Sequence, residues 1–155
     1  MKIEFWYIGK TNEKYLTQGM SIFEKRLSHY CKFKSICFKD VKPGQNSNET
    51  KMREFELINN KLSASDYVIL LDEIGETYNS EKFAKVIEKL QLNASKRVVF
   101  LVAGAFGAHE LLQKRADKLL SLSKMTFSHQ MIRLFFLEQL YRAFTIIRNE
   151  KYHNA

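Results

Sequence analysis

The order of hydrophobic and polar positions changes along the chain, and each pattern predicts a different element. Residues 3–8 form an aromatic and β-branched run that stops at Gly9, which is typical of a strand. Over residues 12–30, apolar side chains recur at the spacing of one helix face, at Tyr15, Leu16, Met20, Phe23 and Leu27. The chain is therefore predicted to begin with a strand followed by an amphipathic helix.

The same two patterns recur further along the chain. Residues 33–38 alternate apolar and polar side chains, as expected of a strand with one solvated face. Residues 66–71 and 98–102 are short, largely apolar runs, which indicate strands buried on both faces. Helices are predicted over residues 49–62 and from Ser80 onward. This alternation of strand and helix predicts an α/β fold with a mainly parallel sheet.

The final helix, predicted over residues 129–149, is apolar around nearly its whole circumference. Its polar exceptions recur at helical spacing and form one narrow stripe of Glu138, Arg142, Thr145 and Asn149. Such a helix needs cover on more than one side, and a domain of this size offers it one sheet face. We therefore predict that a second subunit covers it, with burial inside a single monomer as the alternative.

Composition sets modest bounds on the class of protein. With 155 residues, of which 45% are hydrophobic, the chain is most simply one domain around one core. Its apolar runs are far shorter than the roughly 20 residues that a bilayer requires, so we expect a soluble, cytoplasmic protein with no membrane partner. Cys31 and Cys37 are interpreted as reduced thiols that pack as small apolar groups, and no metal site is predicted.

The net charge of +8 is distributed unevenly. Residues 1–34 contain seven Lys or Arg against three Glu, and residues 119–155 contain five basic against two acidic side chains. Residues 35–97 balance, with ten of each sign. If the fold brings the two ends of the chain together, this excess would form a surface for a polyanion such as nucleic acid. A mildly basic protein without such a role is the alternative.

Three predicted strand ends contain residues suited to ligand binding. The third strand ends in residues 71–76, the fourth in residues 103–107 and the fifth in residues 121–127. In a parallel sheet, loops at the carboxyl ends of the strands are where ligands bind. The glycines of AGAFG permit positive φ or close approach to a ligand, although this segment lacks the spacing of a dinucleotide or phosphate loop. Ordinary turn glycines remain the alternative.

The last third of the chain narrows the choice. It reads SLSKMTFSHQ over residues 121–130, followed by Arg133, by EQLYRA over residues 138–143 and by a terminal Tyr152-His153. This string resembles the pseudouridine N3-methyltransferases of bacterial large-subunit ribosomal RNA, the H-type family of the SPOUT superfamily. The resemblance extends over the full chain.

The resemblance implies a specific fold and activity. It implies a single SPOUT methyltransferase domain over residues 1–155, in which the C-terminal backbone is threaded through a loop as a trefoil knot. It also implies a homodimer that binds S-adenosylmethionine in the knot. The methyl group would be transferred to N3 of a pseudouridine in 23S ribosomal RNA, on the assembled ribosome.

The resemblance also assigns roles to particular residues. The cofactor would be lined by Leu71, Gly104, Leu122, Ser123, Lys124, Met125, Thr126 and Phe127. Arg133 and Tyr152 would contact the RNA. A neutral imidazole, of His129 or His153, would accept the N3 proton, and Arg142 would stabilise the anionic base. The alternatives are a capping role for His129, a frayed tail at His153 and a simple ion pair between Arg142 and Glu138.

Two departures from the family pattern and two other functions stay open. Ala103 stands where the family usually has glycine, and Ser128 stands where it usually has proline; the Ser128 hydroxyl is predicted to cap the last helix instead. Phe106 is expected to narrow the pocket mouth. The other functions are a ribosome-binding or assembly factor without methyl transfer, and methylation of transfer RNA by a knotted relative.

Overall fold

A computed structural model describes residues 1–93 and 96–154 of the chain, and its elements alternate between strand and helix. Within these ranges the elements are β1 (Lys2–Ile8), α1 (Lys14–Leu27), β2 (Lys32–Phe38), α2 (Ser47–Asn59), β3 (Tyr67–Thr77), α3 (Ser80–Leu92), β4 (Val98–Val102), α4 (Glu110–Arg115), β5 (Lys118–Ser121) and α5 (Met131–Ile147). Every helix and strand predicted from the hydrophobic pattern is present, with ends that differ by a few residues.

The strands form one sheet in the order β2-β1-β4-β3-β5, and every neighbouring pair is parallel. The predicted α/β class with a parallel sheet is therefore confirmed. All five residues of the central strand β4 are buried, because helices cover the sheet on both faces. Helices α1, α3 and α5 pack on one face, and α2 and α4 on the other. The trefoil knot stays a prediction.

The third strand is longer than its apolar run indicates. It continues to Thr77 through the segment predicted as a loop, and both Leu71 and Glu76 pair with Leu120 of β5. The residues between them form a bulge that re-aligns β3 on β5. Gly75 makes this approach possible, because a Cβ at this position would lie 2.5 Å from the carbonyl carbon of Leu119.

Side-chain caps define where several helices begin. The side chains of Asn46 and Asn79 accept hydrogen bonds of 2.9 and 2.8 Å from backbone N–H groups in the first turns of α2 and α3. Before α5, the backbone N–H of Met131 donates to the Ser128 hydroxyl at 3.0 Å. The Ser128 hydroxyl therefore bonds to the first residue of α5, but the N-cap position itself is Gln130, whose side chain makes no capping bond, because the regular helix begins two residues later than predicted.

Helix α5 lies between α1 and α3 and buries one face in the core. Thr145, which the sequence pattern places on the polar stripe, is fully buried, and its hydroxyl donates to the carbonyl of Arg142 at 2.7 Å. That local hydrogen bond lets a threonine occupy an apolar environment. On the opposite face Phe135 is 39% exposed, so one chain covers α5 only in part. The predicted second subunit is compatible with this exposure and stays a prediction.

The two cysteines occupy different environments. Cys31 is half-buried against the core, and burial raises the pKa of its thiol to about 11. Cys37 is exposed, contrary to the prediction that it packs as an apolar group, because β2 is an edge strand with one solvated face.

Among residues 1–93 and 96–154 there is no helix with both the length and the apolar character that a membrane crossing requires.

Candidate functional site

The carboxyl ends of β3, β4 and β5 meet around a cavity of about 700 Å³. Its walls are residues 71–74, residues 102–108 and residues 120–129 apart from Lys124, together with Gln113 and Ile132. The three strand ends selected from the sequence therefore converge on one site. Of the eight residues predicted to line a cofactor, seven border this cavity, and the exposed Lys124 does not.

The wall formed by residues 121–128 is held in shape by its own serines. The buried Ser121 donates its hydroxyl to the carbonyl of Ser123 at 2.8 Å, and the Ser123 hydroxyl accepts from the backbone N–H of Met125 at 2.9 Å. These short-range bonds hold the segment in a bent path. The hydroxyl of Ser123 thus supports the loop, and the loop is preorganised for a ligand.

The wall after β4 is a tight glycine turn. The N–H of Gly107 donates to the carbonyl of Gly104 at 3.0 Å, and Gly107 has a φ of +84°, which favours glycine. Phe106 lies within this turn and is 61% exposed while bordering the cavity. Phe106 is thus both exposed and in the cavity wall, and its narrowing of the pocket mouth stays a prediction.

His129 borders the same cavity and is half-buried. Burial lowers the pKa of its imidazole below the ordinary value, and the positive charge of Arg133 lowers it further, while Asp40 acts in the opposite direction. The imidazole is therefore neutral at pH 7 and able to accept a proton. This is the form that the predicted role of His129 requires.

The position of Arg133 does not fit the predicted contact with RNA, because the residue is buried. Its side chain is fully buried, and its guanidinium donates to the carbonyls of Ile8, Gly9 and His129 at 2.8 to 3.0 Å and to the Thr11 hydroxyl at 3.0 Å. The guanidinium thus ties α5 to the end of β1. Reaching an RNA would mean leaving all these acceptors, so we interpret Arg133 as structural.

A signal in the sequence could have shown this. Arg133 does not belong to the polar stripe of α5; it lies on the same helix face as Phe136, Leu137 and Leu140, all of which are buried. A cation within an apolar stripe is most simply a buried, hydrogen-bonded group.

The remaining predicted residues, Arg142, Tyr152 and His153, form a second cluster together with Glu81 and Glu138. The Arg142 guanidinium pairs with Glu138 and lies 3.1 Å from Nδ1 of His153, and the Tyr152 hydroxyl donates to Glu138 at 3.0 Å. On its other side the His153 ring is 3.5 Å from the Glu81 carboxylate. The terminal Tyr-His pair is therefore docked on α5 and α3.

Within one chain the two groups of candidate catalytic residues are separated. None of Arg142, Tyr152 and His153 borders the cavity that contains His129. His129 lies just before α5 and Arg142 lies in its second half. At a helical rise of about 1.5 Å per residue, the two positions are roughly 20 Å apart along the helix. A smaller cavity of about 380 Å³ borders Gln139, which lies beside Glu138. It shares four lining residues with the first cavity: Leu120, Ser121, Leu122 and Phe127.

Two polar contributors to the main site are not among the residues predicted from the sequence. Gln113 of α4 donates to the Asp72 carboxylate at 3.0 Å, and both border the cavity. Glu54 of α2 lies against Gly104 from outside the cavity. Helix α4 is too short to show a periodic pattern, so Gln113 gave no signal. Glu54 did, because it shares the buried stripe of α2 with Thr50 and Ile58.

Comparisons with known proteins agree with this arrangement. A family model described as "Predicted SPOUT methyltransferase" matches residues 1–153. The chain is 48% identical over 156 residues to the "Ribosomal RNA large subunit methyltransferase H" of Christiangramia forsetii, covering 99% of each chain. Proteins of the same name from Flavobacterium johnsoniae and Cytophaga hutchinsonii are 47% and 45% identical, with at least 99% of each chain covered.

A solved structure supports the fold. The crystal structure of tRNA (m1G37) methyltransferase from Aquifex aeolicus superposes with a TM-score of 0.53 at 15% identity, covering 92% of this chain and 70% of that one. At this identity the likeness concerns architecture alone. The family model and the relatives both span nearly the whole sequence, and the parallel sheet is the one predicted from the sequence. The chain therefore belongs to the SPOUT methyltransferase family.

Proposed function

We propose that this chain is one methyltransferase domain that uses S-adenosylmethionine to methylate N3 of a pseudouridine in 23S ribosomal RNA, on the assembled cytoplasmic ribosome. The observation that supports it most is the cavity shared by the three strand-end loops in a chain nearly half identical to large-subunit ribosomal RNA methyltransferases. The unevenly distributed charge of +8 agrees with a polyanionic substrate.

The cavity suits the proposed cofactor in size and chemistry. Its volume of about 700 Å³ lies within the usual range for small-molecule sites, roughly 300–1,000 Å³. Leu71, Leu122 and Phe127 offer apolar surface for an adenine, and the loop backbones of residues 103–107 and 121–127 offer amides and carbonyls. Asp72 and Glu73 supply negative charge beside the cavity, which would favour a sulfonium cation.

The chemistry requires little of the protein beyond positioning and one proton transfer. When bound, the cofactor supplies a methyl group already activated by its positive sulfur. The walls of the cavity hold the two reactants in line and exclude water. The neutral imidazole of His129 takes the proton from N3, because it borders the cavity and its pKa is lowered by burial.

The second cluster points to a homodimer. Arg142, which contacts His153, lies roughly 20 Å along α5 from His129, so one chain does not present these groups together to one base. The exposed apolar side chains of Tyr15, Ile22 and Phe135 on α1 and α5 are suited to burial against another copy. We propose that the Arg142 cluster of a second copy completes each site and stabilises the anionic base.

A labelled methyl-transfer assay tests the proposed function. Purified protein is incubated with methyl-labelled S-adenosylmethionine and with ribosomes from cells that lack the corresponding enzyme, with free ribosomal RNA or with transfer RNA. We expect label in the large-subunit RNA of whole ribosomes, at N3 of a pseudouridine by mass spectrometry. Label in transfer RNA alone would support the knotted-relative alternative, and cofactor binding without any transfer would support an assembly factor.

Replacing His129 by alanine is expected to lower the rate of methyl transfer by about 10²–10⁴-fold, the usual contribution of a general base. In the unmodified protein the rate should fall as the pH drops through a value below the ordinary histidine pKa, because burial lowers the pKa of His129. Rates are measured at saturating cofactor from pH 5.5 to 8.5.

His29→Ala is the matched control, because His29 is an exposed histidine beyond the end of α1. It should leave the rate and its pH profile unchanged. Cofactor affinity of both variants is measured by calorimetry, so that loss of binding is not mistaken for loss of chemistry. A His129→Ala protein that transfers methyl groups at the normal rate would remove His129 from the mechanism.

A further inference from the structure

Glu54 is a buried carboxylate that lies directly behind the glycine turn of the main cavity. Its side chain is 9% exposed, on the inner face of α2. A Cβ at Gly104 would lie 3.0 Å from both Cδ and Oε1 of Glu54, and closer still to Oε2. Glu54 does not border the cavity itself. It therefore supports the cavity wall from outside.

The contact between Glu54 and Gly104 is a charge-assisted one. The Glu54 carboxylate oxygens lie against Gly104, and the backbone N–H of Gly104 favours the ionised form of this carboxylate. Burial acts against ionisation and is the larger effect, and the negative charge of Asp40, in the segment after β2, acts in the same direction as burial. As a result the pKa of Glu54 is raised above the usual value for glutamate.

Two groups near Glu54 in the described part of the chain, Arg53 and His109, are engaged with other partners. On α2, the neighbouring Arg53 is turned away, with its guanidinium bonded to the carbonyls of Lys42 and Pro43 and to Glu49. From the α4 side, the ring of His109 packs against Phe55 at 6.3 Å between centroids, and its Nδ1 accepts from the backbone N–H of Leu111. The Gly104 amide is thus the favourable interaction that accounts for a carboxylate at this position.

We propose that Glu54 is a positioning residue for the methyl donor: its carboxylate holds the Gly104 amide and thereby fixes the cavity wall formed by residues 103–107. This inference rests on the proposed function, since it concerns the same cofactor site. Within the described residues, the other hydrogen bond that holds the wall after β4 is the one between Gly107 and Gly104. Loss of the carboxylate would let the turn relax and would weaken binding of the cofactor without touching it.

The proposal predicts a pH dependence of cofactor binding. Because the folded-state pKa of Glu54 is raised, the carboxylate takes up a proton at a higher pH than an ordinary glutamate does. The charge on the carboxylate beside the Gly104 amide is therefore lost, as the pH falls, at a higher pH than the charge on an ordinary glutamate. Affinity for S-adenosylmethionine should weaken over the same pH range.

The test compares three variants by calorimetry with S-adenosylmethionine from pH 5 to 8. Glu54→Leu removes the acceptor at similar volume, and we expect a dissociation constant raised about tenfold at pH 7.5. Glu54→Gln keeps an acceptor without the charge; it should bind within about threefold of the unmodified protein and lose the acidic weakening. Glu56→Leu, on the exposed face of the same helix, should change neither quantity.

The outcomes separate this inference from the proposed function. If the unmodified protein gives no heat with S-adenosylmethionine, the proposed function itself fails. If it binds and Glu54→Leu binds equally well, or if the pH profile of Glu54→Gln matches that of the unmodified protein, Glu54 is not a positioning residue. Should Glu54→Leu not fold, the Glu54→Gln pH profile still decides, because a role in folding alone would not move it.

Discussion

Replacing Arg133 by methionine is expected to lower the free energy of unfolding by about 3–5 kcal/mol. The substitution keeps much of the side-chain volume but removes the donors that reach three carbonyls and the Thr11 hydroxyl. Each buried acceptor left without a partner costs about 1–3 kcal/mol. This cost is partly offset because the variant no longer has to bury a charged guanidinium. The measurement is urea unfolding at one fixed protein concentration, because association would also contribute to stability.

Arg148→Met is the control for this prediction. Arg148 is exposed at the other end of α5, where it lies over the Tyr30 ring, and its loss should cost less than about 1 kcal/mol. The two readings of Arg133 give opposite results. An RNA-contacting arginine would lose ribosome binding with unchanged stability, so an Arg133→Met protein as stable as the parent would restore that earlier prediction.

The parts of the fold that the sequence predicts well are those determined by local pattern. The apolar run of β4 and the helical stripe of α1 each satisfy one clear periodicity, and the structure has both. The extension of β3 beyond Leu71 violates its own pattern, since Asp72, Glu73 and Glu76 are charged. It is a strand because β5, which is distant along the chain, pairs with it. Such a tertiary effect leaves no local trace.

The candidate site likewise has features that the sequence predicts and features that depend on tertiary packing. That three loops share one cavity followed from parallel topology, because the carboxyl ends of parallel strands meet at one edge. Which polar side chains face that cavity depended on packing. Arg133 and Glu54 both lie on buried helix stripes, and only the surrounding carbonyls and the Gly104 amide explain why a charge is tolerated there. The separation of His129 from Arg142, by contrast, follows from helix geometry alone.

A dimer built from two differently damaged chains should recover activity. We expect His129→Ala and Arg142→Ala homodimers each to be nearly inactive, because each site would lack one of its two groups. In a heterodimer of the two variants, a site that takes His129 from one chain and Arg142 from the other is either doubly damaged or intact. Heterodimers isolated with two different affinity tags should therefore show roughly half of the normal methyl-transfer rate if the two sites act independently.

The reciprocal heterodimer is the control. A normal chain paired with a His129→Ala/Arg142→Ala double variant has one damaged group in each shared site, so it should be nearly inactive. If each chain instead builds a complete site by itself, the pattern reverses: this control retains about half of the activity, and the heterodimer of single variants has almost none. Because the Arg142 cluster lies roughly 20 Å along α5 from the His129 cavity, the first pattern is the one expected.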